Sequence, residues 1–234
     1  MKLYSGPLSL YSRKVEIVLA EKGLRYERIM VPFSQTAGYH PKAPEVVAIN
    51  PRGQVPMLID GEVALYDSTV ILEYLEDAYP EPPLMPSRPS RRAACRLLDV
   101  YADEVMIAPL RALMHRTGPG APEAEDWTER EAQARMAEAA IDRQLAHLDA
   151  ALGGKASFCD VLSVADAALF MSVLYGQRLG GPALTNHPRL RTWFTRLLKR
   201  PAFATVLAEV RAADAELSRV VPGAYAGLDI ALAR

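Results

Sequence analysis

The hydrophobic pattern changes once along the chain, near residue 80. Before that point short apolar runs of strand length alternate with helical stretches, and after it apolar residues recur three and four positions apart. Leu3-Tyr4 predicts the end of a short strand, broken by Gly6-Pro7 before a helix begins near Ser12. Val15, Ile17, Val18 and Leu19 give that helix its apolar face, and Gly23 gives it a stop. Tyr26 to Val31 predicts a second strand ending at Pro32. A strand–helix–strand unit this short joins parallel strands by a right-handed crossover. Residues 33–51 then predict a long connection with at most one helical turn, since four prolines fall between Pro32 and Pro51. Met57-Leu58-Ile59 and Val63-Ala64-Leu65-Tyr66 flank Asp60-Gly61 and predict a hairpin. Ser68 to Tyr79 follows with helical periodicity through Val70, Ile71, Tyr74 and Leu75. Residues 1–80 thus predict a small α/β domain of order βαβ-ββα.

Five prolines, Pro80, Pro82, Pro83, Pro86 and Pro89, exclude regular structure across 81–89 and mark a linker. Residues 90–234 predict an all-α domain. Its apolar positions run Ala94, Leu97, Leu98, Tyr101, Val105, then Ile141, Leu145, Leu148, Leu152, then Leu190, Trp193, Phe194, Leu197, Leu198. Pro109 should kink the helix that contains it. Ser163-Val164-Ala165-Asp166 has the spacing of a capping box, so Asp166 is expected to hold a helix end rather than do chemistry. Thr117 to Asp126 predicts a polar loop, and the Ala- and Gly-rich tail after Val220 a loose extension. Arg88, Arg91, Arg92 and Arg96 predict a solvated helix start or a dimer cleft.

Composition narrows the classes. The chain has 234 residues, of which 50% are hydrophobic and 24% charged, enough to fill a core and too apolar for global disorder. With 27 Lys+Arg against 28 Asp+Glu, the formal charge of −1 lacks the basic footprint of a nucleic-acid binder. The start, Met1 to Pro7, has no long apolar run of a signal peptide. The most apolar stretch, Phe158 to Tyr175, contains Asp160 and Asp166 and falls short of the ~20 residues that span a bilayer, so no membrane partner is expected. Cys95 and Cys159 cannot build a disulfide framework and form no Cys-x-x-Cys pair, which predicts a reducing, cytoplasmic home. His40, His115, His147 and His187 show no metal-ligand spacing, so no metal is expected; His187 precedes Pro188 at a predicted helix start.

Several short motifs fall in order across nearly the whole chain: Ser9-Leu10-Tyr11-Ser12-Arg13-Lys14-Val15; Asn50-Pro51-Arg52-Gly53-Gln54-Val55-Pro56-Met57-Leu58; Leu65-Tyr66-Asp67-Ser68; Ser163-Val164-Ala165-Asp166; and His187-Pro188-Arg189-Leu190 with Trp193 and Arg200-Pro201-Ala202-Phe203. With these motifs the chain resembles the cytosolic glutathione S-transferase superfamily, in its bacterial, serine-type, zeta- and theta-like branch. The resemblance implies a thioredoxin-like glutathione-binding domain over 1–80 and a helical bundle over 90–234. It also implies glutathione as co-substrate, a small electrophilic and largely apolar second substrate, and a homodimer.

In such proteins a hydroxyl ionises the glutathione thiol. A free thiol titrates near ~8.5, and bringing it to ~6.5 requires about 2.7 kcal/mol in favour of the thiolate. A charge-assisted hydrogen bond supplies ~1.5 to 3 kcal/mol and the positive end of a helix ~0.3 to 1. The resemblance places the catalytic hydroxyl six residues before the helix valine, which from Val15 is Ser9; Ser12, Tyr11 and Tyr4 stand as alternates, and Ser9 or Ser12 would equally cap the helix. It further implies a cis Val55-Pro56 bond that turns the Val55 backbone toward the cysteinyl part of glutathione, with Gln54 toward the glycyl end. Asp67 and Ser68 would receive the γ-glutamyl ammonium and carboxylate at a helix start, where either residue also serves as an ordinary cap. Leu10, Tyr11, Met106, Leu110 and Met114 would line the second-substrate pocket, although ordinary core packing is equally compatible with that spacing.

The thiolate could serve transfer, peroxide reduction, dehalogenation or isomerisation alike. Leu10-Tyr11 replaces the Ser-Cys pair typical of the zeta class, so its isomerase activity does not carry over. A noncatalytic binding or regulatory module on the same scaffold is the alternative. Thiol–disulfide exchange would need a cysteine near residues 9–12, and there is none.

Overall fold

In the computed structural model, which describes residues 1–119, 126–226 and 228, the first strand is the centre of the sheet. Strand β1 (Lys2–Ser5) pairs in parallel with β2 (Glu27–Met30), through Leu3 opposite Arg28 and Tyr4 opposite Ile29. On its other side β1 runs antiparallel to β5 (Met57–Asp60), with Tyr4 opposite Met57. Strand β6 (Val63–Tyr66) completes the order β2-β1-β5-β6, with Met57 opposite Tyr66. The two-residue turn between β5 and β6 is Gly61-Glu62, where Gly61 takes φ 61°, a left-handed value that hairpin turns demand and glycine tolerates.

The connection after β2 holds more structure than expected. Phe33–Ser34 (β3) and Gly38–Tyr39 (β4) form a two-stranded ribbon, followed by α2 (Pro44–Ile49) with Pro44 at its first turn. Strands of two residues carry no period to read.

Helix α1 spans Leu10–Glu21, two residues earlier than Ser12, because Ser9 caps it. It lies between the sheet and the helical half, packing on α3 (Ser68–Ala78), α7 (Val164–Arg178) and α9 (Pro201–Leu217). Its charged residues Arg13, Lys14 and Glu16 are therefore buried, and each is paired. Lys22 Nζ bonds the carbonyls of Tyr79 and Pro82 and the carboxylate of Glu76, while Glu76 accepts the Leu84 N–H at 3.0 Å. These bonds satisfy backbone groups of the proline-rich segment, which has no ladder of its own.

Helix α4 (Pro89–Val100) continues through a π segment (Tyr101–Met106), a short α5 (Ile107–Leu110) and a 3-10 segment (Arg111–Thr117). The break is where Pro109 removes the N–H that Val105 would receive. The Val105 carbonyl takes Gln144 Nε2 instead, at 2.8 Å, from α6 (Trp127–Leu152). Asp149 of α6 in turn accepts the N–H groups of Arg189 and Leu190 at 2.7 and 2.9 Å, capping α8 (Pro188–Leu197) from outside its own chain segment.

All of α7 is buried, the pattern of a helix surrounded on every side. Phe170 stacks on Phe194 and meets Phe203 edge-on. At the start of α7, Ser163 and Asp166 form the expected capping box, and Asp166 also receives Trp193 Nε1 at 2.9 Å. Burial raises the Asp166 pKa, against the hydrogen bonds that favour its ion, so it is a structural acid. Contrary to the expectation of unpaired cysteines, Cys95 of α4 and Cys159 are joined in a disulfide, with Cα atoms 6.0 Å apart. Their separation by 64 residues left no spacing to read, and the compartment inferred from unpaired thiols loses that support. No helix of the described residues is long and apolar enough to cross a membrane, and among them no group of side chains is arranged to hold a metal ion.

Candidate functional site

The register of the sheet brings three loops to one end. The loop 6–9 leaves the end of β1; Val55-Pro56 enters β5 beside it, since Tyr4 faces Met57; and Asp67-Ser68 follows the end of β6, since Tyr66 also faces Met57. Ser9, Val55-Pro56 and Asp67-Ser68 therefore share the edge of the sheet on which α1 and α3 start.

Ser9 Oγ accepts the Ser12 N–H at 3.2 Å and the Ser12 hydroxyl at 3.0 Å. A serine hydroxyl has two acceptor positions and one donor. With both acceptor positions used, its remaining capacity is to donate, and the two incoming donors make that O–H more acidic. Ser12 is fully buried, with its own proton committed to Ser9. Tyr11 donates to the Asp103 carbonyl at 3.4 Å, and burial followed by the Asp103 charge raises its pKa. Tyr4 is buried within β1, its pKa likewise raised by burial and by Glu45. Of the four candidate hydroxyls, Ser9 is the one whose hydrogen bonds leave it a donor at the start of a helix.

The Val55-Pro56 peptide is cis. Asn50, which no motif argument singled out as functional, holds the loop before it: its Nδ2 donates to the Gln54 carbonyl at 2.7 Å and its Oδ1 accepts the Arg52 N–H at 2.9 Å. Its only signal in the sequence is an asparagine ahead of Pro51, a frequent turn opener. The Gln54 side chain is exposed.

Asp67 takes φ 74°, a left-handed conformation that costs an L-residue energy and collects at functional sites. Its Oδ1 caps α3 through the N–H groups of Thr69 and Val70, at 3.0 and 3.3 Å. Ser68, the first residue of that helix, is buried.

Beneath these residues lies an ion cluster missed by sequence reasoning. Lys14 Nζ, fully buried, bonds Asp99 at 2.8 Å and Asp103 at 2.6 Å, and Asp99 also accepts Thr69 Oγ1 at 2.6 Å. It ties α1 to α4, the π segment and the first turn of α3. Two carboxylates share one ammonium, so burial and the Asp99 charge outweigh Lys14 at Asp103 and raise its carboxyl to about 6.

The second-substrate residues do not form one wall. Leu10, Met106 and Leu110 are in the core, whereas Met114 is 40% exposed. The four-residue spacing fails because the π and 3-10 segments turn at different rates from an α-helix. Met114 instead borders a cavity of about 550 Å³ with Gln35, Arg111, His115 and Trp127. Of the expected pocket residues, only Met114 lines it.

Residues 3–83 match the family model for the N-terminal domain of glutathione S-transferase and residues 101–201 the model for its C-terminal domain. Maleylacetoacetate isomerase of Pseudomonas aeruginosa is 31% identical across 87% of this chain and 93% of its own. The stringent starvation protein A homolog of Coxiella burnetii is 44% identical over 98 residues, and this chain spans 44% of its length. A solved glutathione S-transferase from Methylobacillus flagellatus, with glutathione bound, superposes with a TM-score of 0.71 at 28% identity, over 88% of this chain and 98% of that one.

Proposed function

From the premise that this chain belongs to the glutathione S-transferase family, we propose that it binds glutathione, ionises its thiol at Ser9 and transfers it to an electrophilic, largely apolar second substrate. The observation that supports this reading is the hydrogen bonding of Ser9: both acceptor positions are filled from Ser12, which leaves its proton available to donate. The Val55 backbone pairs with the cysteinyl unit, Asp67 and Ser68 hold the γ-glutamyl end, and Gln54 reaches the glycyl end. The thiol proton passes to solvent water, and the thiolate, stabilised by the hydrogen bond that the Ser9 hydroxyl donates, attacks the electrophilic carbon of the second substrate. A C–S bond forms, and the electron pair leaves with the departing group or settles on the acceptor, to be protonated by water. No covalent intermediate with the protein is formed. The glutathione held by the Methylobacillus relative supports the choice of ligand.

A noncatalytic binding module is the second reading, favoured by the stringent starvation protein A homologs, whose name is not that of a transferase. Titration calorimetry with glutathione, followed by thiolate absorbance near 240 nm across pH, separates the two. Saturable binding with a lowered thiol pKa that returns toward ~8.5 in Ser9→Ala supports the transferase. Binding with an unshifted thiol supports the module. A lowered thiol pKa that Ser9→Ala leaves in place would move the role to another hydroxyl.

A further inference from the structure

Arg13 is 2% exposed, one turn into α1, and activation of a thiol by Ser9 gives its side chain no task. That side chain turns back beneath the loop that carries Ser9. Nε and Nη2 both donate to the Pro7 carbonyl, at 3.3 and 3.2 Å. Nη1 is held from two sides, by Glu16 of the same helix and by Glu209 of α9, each at 2.6 Å. Glu209 is fixed in turn by Arg28 of β2, and Glu16 accepts the Ser5 hydroxyl at the end of β1. Within the loop itself a single backbone bond, Ser9 N–H to the Gly6 carbonyl at 3.2 Å, resists displacement. Above Gly6 the Tyr39 ring lies so close that a Cβ there would overlap it.

We propose that Arg13, clamped between Glu16 and Glu209, is a positioning residue that fixes the Pro7 carbonyl and, through it, the Ser9 hydroxyl against the glutathione thiol. The inference rests on the reading of Ser9 given above. A guanidinium suits the task because its planar donors fork onto one carbonyl while a third nitrogen meets the carboxylates; a lysine keeps the charge but not the fork. The clamp reaches from α9 to the loop that follows β1, so the placement of α9 bears on the hydroxyl without touching ligand.

Arg13→Lys and Glu209→Gln are compared with wild type in bound-thiol pKa, in kcat and in KM for glutathione, after thermal melts show that each is folded. Arg13→Lys is expected to raise the bound-thiol pKa by about one unit, a tenfold smaller thiolate ratio, and to lower kcat about tenfold with KM little changed. Glu209→Gln, at a side chain 33% exposed, moves both quantities the same way by less, and carries the test if the lysine variant does not fold. In a Ser9→Ala background Arg13→Lys should add nothing, since residues acting through one group are not additive. Folded variants with wild-type thiol pKa and kcat would overturn the proposal, as would an equal rise in the Ser9→Ala background. Failure of the underlying reading looks different: Ser9→Ala alone then leaves the pKa unchanged, or glutathione does not bind the wild type.

Discussion

At the scale of single residues, Asp67 caps α3 through Oδ1 from a left-handed backbone, and the proposed function gives its charge a second job, holding the γ-glutamyl ammonium, that substitution can separate from the first. Asparagine keeps the capping oxygen and tolerates a positive φ. Asp67→Asn should therefore melt within about 0.5 kcal/mol of wild type while weakening glutathione binding, measured by calorimetry, by the ~1.5 to 3 kcal/mol of a charge-assisted bond. Loss of stability without loss of affinity would reduce Asp67 to a cap. Ser9 and Asp67 are legible as helix caps because cap chemistry shows in a short window, whereas the glutathione roles of Ser9, Val55-Pro56 and Asp67-Ser68 come from the resemblance alone. Arg13, Lys14 and Asn50 are not legible, because a charged or amide residue in a short window looks solvated. Their partners, Glu209 for Arg13 and Asp99 for Lys14, are supplied by distant segments.

Between elements, several buried links are charged. The Lys14 cluster fastens α1 to α3 and α4, and Asp103 is its weakly compensated member. Its folded pKa of about 6 exceeds the usual 3.8, so the folded chain binds that proton more tightly than the unfolded one. The contribution of Asp103 to stability is thus greatest below pH 4 and declines as pH rises through about 6. Thermal melts from pH 4 to 7 should show this decline in wild type, and Asp103→Asn, permanently neutral, should flatten it. An unchanged slope in the variant would assign the pH dependence to other groups. The strands β1, β5 and β6 and helix α3 follow from period and turn chemistry. The ribbon of β3 and β4 does not, being too short for a period, and Met106 and Met114 differ in exposure because the helix passes from π through α to 3-10 pitch between Tyr101 and Thr117.

Among the described residues, several large apolar side chains near the junction of α3 and α4 are exposed. Leu97 is 70% exposed, Val100 lies a turn further along α4, Tyr66 ends β6, and Val70 stands in the first turn of α3, which Arg96 and Glu73 bind to α4. We propose that a second copy of the chain covers these side chains. Light scattering should give the mass of two chains for wild type and of one for Leu97→Lys; a single-chain mass for both would refute it.

The register that gathers the three loops has a consequence for how the chain survives. The loops belong to strands far apart in sequence, and the site exists only once β1, β5 and β6 have paired. If glutathione binds across all three loops as proposed, it binds no partly paired chain, and its binding energy adds to the pairing energy. At a hundred times its dissociation constant such a ligand would raise stability by about 2.7 kcal/mol. A cell that keeps glutathione abundant would then be supplying a reactant and, with the same molecule, guarding the enzyme against proteolysis.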